Sequence, residues 1–350
     1  MRAFLFILTV ASLAARVHAS SPESLVFDPA TGDYLLTYDC GVDGGIVSVT
    51  ISPENKIAPA LESAFEVESG SISYSYSISL GAASRQPLEM FVMDPIENVW
   101  GLVEPPSAAT IRDPKPEELR RFLETSLASA PSGWEAFHTT SQQGGKRVGW
   151  LRREAAPAFL AGERQGGFKF SSQHLPGIVV AEVTGESPIW RFPCEAPASE
   201  TDVGRALEML ERNNYVPRFV AAPILKVTAP FSALSLLTGL RDHIHQWDQW
   251  QLLDAQLSAK VKARLAEAIS LLEVDRRRDA MMPLHKLRAI LRTSYPTIDS
   301  ESLTHAVPPS PIPLNPVDEI RQLVTDYDRL LAARVLDFDV AFVIGKLSAL

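Results

Sequence analysis

Leu253, Leu257, Val261, Leu265, Ile269 and Leu272 recur at spacings of four and three. That spacing puts them on one face of a helix, with Lys260, Lys262, Arg264 and Glu267 mostly on the other. Ala280, Leu284, Leu287 and Leu291 form a second such face. The polar stretch 273–279 between them predicts a short turn, so these helices are expected to be antiparallel neighbours. Pro283 removes a backbone donor near the start of the second helix. Either the helix begins just before it or the first turn is distorted. A third helix is predicted from Asn315 as N-cap, Pro316 at the first position, and Asp318 and Glu319 in the first turn. Val317, Ile320, Val324, Tyr327 and Leu331 make its stripe. Ser232 is expected to cap a further helix bearing Leu234, Leu237, Leu240, Ile244 and Trp247.

Earlier in the chain the period drops to two. Ile72, Tyr74, Tyr76, Ile78 and Leu80 alternate with serines, which predicts a strand with one packed face and one wet face. Tyr34 to Tyr38, Ile46 to Ile51, Leu88 to Met93, Trp134 to Thr140, Arg147 to Leu151, Gly167 to Ser172 and Gly177 to Thr184 read as further strands. Pro116, Glu117 and Glu118 open a short helix carrying Leu119, Phe122 and Leu123. Gly144-Gly145 and Gly166-Gly167 are expected to be hairpin turns. Asp202 to Asn214 reads as a short helix, and Val216 to Pro230 as an extended apolar stretch.

The expected fold class is therefore α+β and multidomain. An antiparallel β-sandwich-like domain occupies residues 20–200, with a helical insertion near 114–128. Residues 201–231 form a junction, and 232–350 an antiparallel helical bundle with a Pro-rich loop at 295–314. Residues 1–19 read as a signal peptide. Arg2 is followed by an apolar run from Phe4 to Ala15 and by Val17-His18-Ala19 as a small-residue cleavage site. No later run approaches the ~20 apolar residues of a spanning helix. The expected product is secreted or periplasmic, with no integral membrane segment after cleavage.

Two stretches carry family resemblances. Residues 257–268 and 278–291, with the helix Ile320 to Val335, resemble FIMAH-type helical modules of bacterial extracellular proteins. That resemblance implies an extracellular accessory module and brings no catalytic residue. The chain departs from the pattern at Pro283 and at residues 295–314. Gly149-Trp150, Ala161-Gly162, Gly167 to Ser172 and Leu175-Pro176-Gly177 resemble the final strands of β-sandwich modules in exported bacterial proteins of unknown function.

Charge narrows the partners. The net charge is −9 at pH 7. Residues 20–231 hold 17 basic against 27 acidic side chains, and 232–350 hold 14 against 15. Neither part offers a basic face to nucleic acid or anionic lipid. Cys40 and Cys194 are the chain's cysteines, and in an oxidising compartment their number predicts a disulfide.

Chemistry is harder to find. His243 and His245 lie two apart, so on a helix they do not share a face and do not make a zinc pair. Trp247 and Trp250 do share a face. They are contact-surface candidates, able to stack on sugar rings if exposed, or to seal the bundle if buried. No Gly-x-Ser-x-Gly is present, and His138, His174, His285 and His305 lack recognisable partner spacing. Asp28, Asp33, Asp39 and Asp43 do not match a calcium loop and suit turns better. Paired carboxylates for glycoside hydrolysis can lie far apart in sequence and leave no local signal. The reading is an exported, non-enzymatic envelope or extracellular protein with a binding or structural role, without cofactor or metal. Its expected partner is a carbohydrate or an envelope protein. The alternatives are a secreted hydrolase acting on carbohydrate, and a scaffold presenting its helices to another envelope protein.

Overall fold

The computed structural model describes residues 23–41, 44–68, 70–93, 128–140, 146–186, 192–212, 214–298 and 324–349. The signal-peptide residues, the helical insertion up to residue 127, Gly144-Gly145, the N-cap expected at Asn315 and residues 299–314 of the Pro-rich loop lie outside them. Antiparallel sheets precede a C-terminal cluster of four helices, as the change of period predicts. The chain forms two compact units, residues 1–53 with 188–212, and residues 54–187 with 213–350. These units differ from the expected boundaries at 200 and 232.

Among the described residues the small unit is a three-stranded sheet and one helix. Strands β1 (Ser24–Asp28), β2 (Asp33–Asp39) and β3 (Ile46–Ile51) pair in sequence order. Helix α1 (Asp202–Arg212) joins from more than 140 residues later. Leu36, Tyr38 and Ile51 pack against Val203, Leu207 and Leu210 of the helix. Cys40 and Cys194 are bonded with Cα atoms 5.7 Å apart, tying the end of β2 to the segment that leads into α1. The Cys194 sulfur lies 3.3 Å from the Tyr38 hydroxyl. Asp28 accepts from Ala30 N–H and the Thr31 hydroxyl at 2.9 Å, and Asp39 from Gly41 N–H at 3.0 Å. Those aspartates hold turns.

The larger unit carries two sheets. One has the order β4 (Pro59–Glu68), β5 (Ser71–Leu80), β10 (Arg164–Ser172), β7 (Ala128–Ser129). The other runs β12 (Val216–Leu225), β11 (Leu175–Gly185), β6 (Leu88–Met93), β9 (Lys146–Arg152), β8 (Trp134–Thr140). Their inner faces meet in a cluster of rings. Phe91 stacks on Trp150 at 4.7 Å, and Phe168 meets Phe91 and Trp134 edge-on at 5.0 Å. Such offset and edge contacts add about 0.5–1.5 kcal/mol per pair beyond area burial. Gly166 and Gly167 are not a hairpin turn. They sit inside β10, where the register against β5 shifts by one residue. Gly167 takes φ +94°, a region that side chains avoid, so glycine allows the bulge there.

Among the described residues four helices complete this unit: α2 (Ala233–Trp250), α3 (Ala255–Glu273), α4 (Arg277–Ser294) and α5 (Asp326–Ser348). Ser232 caps α2 as predicted, its side chain accepting from Ser235 N–H at 3.2 Å. Pro283 lies in the second turn of α4, buried, and the helix continues through it. The lost backbone donor is offset by burial, since Pro283 lies on the buried face of the helix with Ala280, Leu284 and Leu287. Helix α5 differs most from expectation. It does not end at Val335 but runs on to Ser348, with Asp337 and Asp339 both inside it and buried. Its start is the capping box of Thr325 and Asp328. The helices and the two sheets share one continuous hydrophobic core.

Edge strands β4 and β12 need partners for their outward backbone groups. A polar seam provides them. Ala221 N–H on β12 donates to the Ser63 hydroxyl at 2.9 Å, and Tyr76 donates its hydroxyl proton to Ala221 C=O at 2.7 Å. Ser63 N–H on β4 donates to the Tyr327 hydroxyl of α5 at 2.8 Å. Arg218 Nε donates to Pro59 C=O at 2.7 Å. Because Tyr327 is buried, its hydroxyl is pushed up to about 12 and stays protonated. Removing that hydroxyl in Tyr327→Phe is expected to cost about 1–3 kcal/mol, the penalty of a buried N–H left without its acceptor. Urea unfolding checks this, and an unchanged midpoint would show that Ser63 N–H does not depend on Tyr327.

Candidate functional site

The contact-surface candidates come first. Trp247 is 1% exposed and lies in the core, so it presents no ring to a ligand. Trp250 is half-buried, its ring 5.4 Å from Phe219 of β12. The pair seals α2 against the sheet. Asp248, between them in sequence, takes the Ser258 hydroxyl and the Lys262 ammonium, which links α2 to α3. His243 faces inward, where burial lowers its pKa, while His245 is exposed. The two diverge as their spacing requires. His174 belongs to a strand end, where its C=O accepts from the Tyr74 hydroxyl at 2.8 Å. His285 is exposed on α4. The His138 side chain and His305 lie outside the described residues.

Two clefts of the larger unit collect polar side chains instead. The first, of about 480 Å³, lies on the outer face of β4, β5 and β10 beside α5. The register explains its floor. Ser77 stands opposite Glu62 and Gly166, and Ser75 opposite Ala64 and Lys169. The serines are the outward set of the alternating β5 pattern, so no bulky side chain fills the space above them. Glu62 receives Arg164 Nη2 at 2.5 Å and the Ser77 hydroxyl at 3.2 Å. Arg334 of α5 forms part of the wall together with Tyr327. One turn further along α5, Phe338 meets Phe65 of β4 edge-on at 5.1 Å. These contacts position Arg334 between two anchored aromatic residues.

The second cleft, of about 560 Å³, is lined by Glu89, Glu135, Glu154 and Glu186 with Arg152 and Arg153. Arg152 is almost fully engaged. Its Nη1 donates to Ala156 C=O at 3.0 Å, its Nε to Leu88 C=O at 3.3 Å, and its Nη2 pairs with Glu186. Burial raises the Glu89 pKa, and the Glu186 charge raises it further, against the pull of Arg152. Glu54 nearby is pushed up to about 7, by burial first and by the Glu89 charge second. A carboxyl that keeps its proton near neutrality can act as an acid. Among the described residues no group of three or more His, Cys, Asp or Glu is arranged to hold a metal ion.

Neither cleft has a local signature. Lys169, Ser75 and Glu62 come together through strand pairing, and Arg334 arrives from a helix more than 160 residues later. The one visible sign was the serine row, read as a wet face.

No protein-family model and no curated protein matches the chain. The resemblance of residues 257–291 to FIMAH-type modules is thus unsupported by any family match. A solved structure of an uncharacterized protein from Nocardia farcinica, described as having an immunoglobulin-like fold, is 16% identical. The match covers 40% of this chain and 90% of that one, with a TM-score of 0.22. Superposition at that level carries no argument about this protein. Among the described residues no helix is long and apolar enough to cross a membrane.

Proposed function

We propose that the protein is an exported, non-enzymatic binding protein of the envelope or extracellular space, and that its cleft beside α5 takes a saccharide. One observation carries the reading: a floor of Ser75, Ser77, Ala64 and Gly166 walled by charged side chains. Sugars offer dense hydroxyl groups, and such a floor lets them reach hydroxyl and charged partners without displacing a large side chain. The apolar run and small-residue site within residues 1–19, together with the disulfide, support export. Affinity electrophoresis against a panel of soluble polysaccharides tests the reading. Wild type is expected to be retarded by at least one of them. Ser75→Phe, which fills the floor from the outer sheet face, is expected to abolish that retardation while unfolding as wild type does. No retardation by any polysaccharide, or retardation indifferent to Ser75→Phe, would refute it.

A hydrolase has one observation in its favour: Glu89 lines the second cleft, and its charge adds to the burial that pushes the nearby Glu54 up to about 7. In that reading Glu54 donates a proton to a glycosidic oxygen. Incubation of the same polysaccharides with wild type, Glu54→Gln and Glu89→Gln decides it. Release of reducing ends by wild type alone supports the hydrolase, and no release by any of the three removes it.

A further inference from the structure

We infer that the saccharide taken by the cleft beside α5 is acidic, a chain containing uronic acid residues whose carboxylate is held by Arg334 and Lys169. The inference rests on reading that cleft as a saccharide site. The distribution of charge within it singles out the ligand. Glu62 is already ion-paired with Arg164 and accepts a hydrogen bond from the Ser77 hydroxyl. Arg334 and Lys169 make no hydrogen bond or ion pair among the described residues, and both line the cleft. Arg334 is unusual in its setting. Its neighbours Ala333 and Val335 are fully buried, and α5 is apolar on nearly every side. Because Arg334 is ion-paired to none of the surrounding carboxylates among the described residues, its guanidinium is available to an anion from outside. Its planar fork matches a carboxylate in two-point contact. Lys169 sits between the inward Phe168 and Phe170, so it is directed outward, in the same cross-strand row as Ser75 and Ala64. Lys169 therefore stands on the β10 side of the floor, across β5 from Ala64.

The other lining groups decide between anions. Glu66 makes no ion pair among the described residues and lines the same cleft, and Glu62 lies beyond it along β4. With Glu62 paired to Arg164, Glu66 beside the two cations Arg334 and Lys169 leaves one positive charge in excess, and the three disfavour a doubly charged phosphate. They suit a group with one negative charge that also carries hydroxyl donors. A uronate ring has that combination: a carboxylate for Arg334 and Lys169, and hydroxyls for Ser75, Ser77 and Glu66.

Calorimetric titration of the full chain with oligomers of galacturonate, alginate and hyaluronan, and with the carboxyl-reduced forms of the same oligomers, tests this. At least one acidic form is expected to bind about tenfold or more tightly than its reduced counterpart, the scale of a charge-assisted hydrogen bond. That preference should shrink as salt is added. Arg334→Gln and Lys169→Gln should each lower affinity for the acidic form about tenfold and leave the reduced form unaffected. Lys169 is exposed on a strand, so its variant keeps the test valid even if Arg334→Gln is poorly folded. Equal binding of acidic and reduced forms, or variants that bind like wild type, would overturn the acidic ligand and leave a neutral saccharide in place. Failure of every acidic, reduced and neutral saccharide to bind would overturn the saccharide reading and this inference together.

Discussion

Replacing Asp339 by leucine is expected to stabilise the larger unit by about 1–3 kcal/mol near neutral pH, because a buried polar group without a partner costs that much. Asp339 is 0% exposed and neither carboxylate oxygen has a hydrogen-bond partner. Two residues earlier on the same helix, Asp337 shows the contrast. Burial opposes its ionisation too, but Arg288 donates to both its oxygens at 2.8 and 2.9 Å, and Arg292 adds another bond at 3.1 Å. The result is a pKa below the usual carboxylate range. Asp339 has no such partners, and burial holds its pKa well above that range. Its charge adds to the burial that raises the pKa of the Tyr74 hydroxyl. The pH dependence follows from linkage. A raised folded pKa means that the folded state binds the proton more tightly than the unfolded one. The associated stability is fully present below the unfolded value of about 3.9 and is lost as pH rises through the folded value. Asp328, pushed up to about 6 chiefly by burial, acts in the same direction, and Asp337 acts in the opposite one. The gain from Asp339→Leu should therefore be smallest near pH 4 and grow as pH rises towards the raised folded value. Asp339→Asn should remove the same pH slope yet recover less stability, because its amide is still polar. Urea unfolding at several pH values measures all three proteins. A gain that does not vary with pH, or a net loss in both variants, would show that Asp339 is paired in solution.

Reduction of the Cys40–Cys194 disulfide is expected to open the small unit while the larger one stays folded. The small unit's buried core consists of Leu36, Tyr38, Ile51, Val203, Leu207 and Leu210. Domains of this size commonly need a covalent staple. The bond spans a sequence separation of 154. On the chain-entropy account its loss costs about 2–5 kcal/mol, comparable to what such a core supplies. Hydrogen exchange with and without reductant reads the two units separately. Amides of β2 and α1 should lose protection, and those of β5, β11 and α5 should keep it. The same pattern in a Cys40→Ala, Cys194→Ala protein would exclude an effect of free thiols. Unchanged protection of α1 after verified reduction would mean that packing alone holds the small unit.

What could be read beforehand divides along physical lines. Strict alternation in β5 and four-residue spacing in α3 are local signals, and both elements formed where expected. β4 was missed, although Leu61, Ser63, Phe65 and Val67 alternate with Glu62, Ala64, Glu66 and Glu68. Alanine and glutamate lean towards helix, and pairing with β5 overrides that preference. Helix α5 runs past Val335 with Asp337 and Asp339 inside it. Nothing local reveals that one would be clasped by two arginines of α4 and the other left alone in the core. The shared core of sheets and helices was equally hidden. Amphipathic helices announce that one face is covered, not by what. The candidate cleft depends on cross-strand register and on a distant helix, so it had no motif to find.

Because α1 closes a sheet made by the first strands, the order of synthesis matters to how this chain matures. β1, β2 and β3 emerge early, but the helix that covers them and the second cysteine come only after the whole of residues 54–187. The early hairpins must wait with Leu36, Tyr38 and Ile51 uncovered, a small three-stranded ribbon that is marginal by itself. During that interval Cys40 is a lone thiol open to mispairing, and oxidation before Cys194 appears would join two molecules rather than two ends of one. Yield of correctly bridged monomer should therefore depend on the timing of the oxidant and on an isomerase more than on the final stability of either unit.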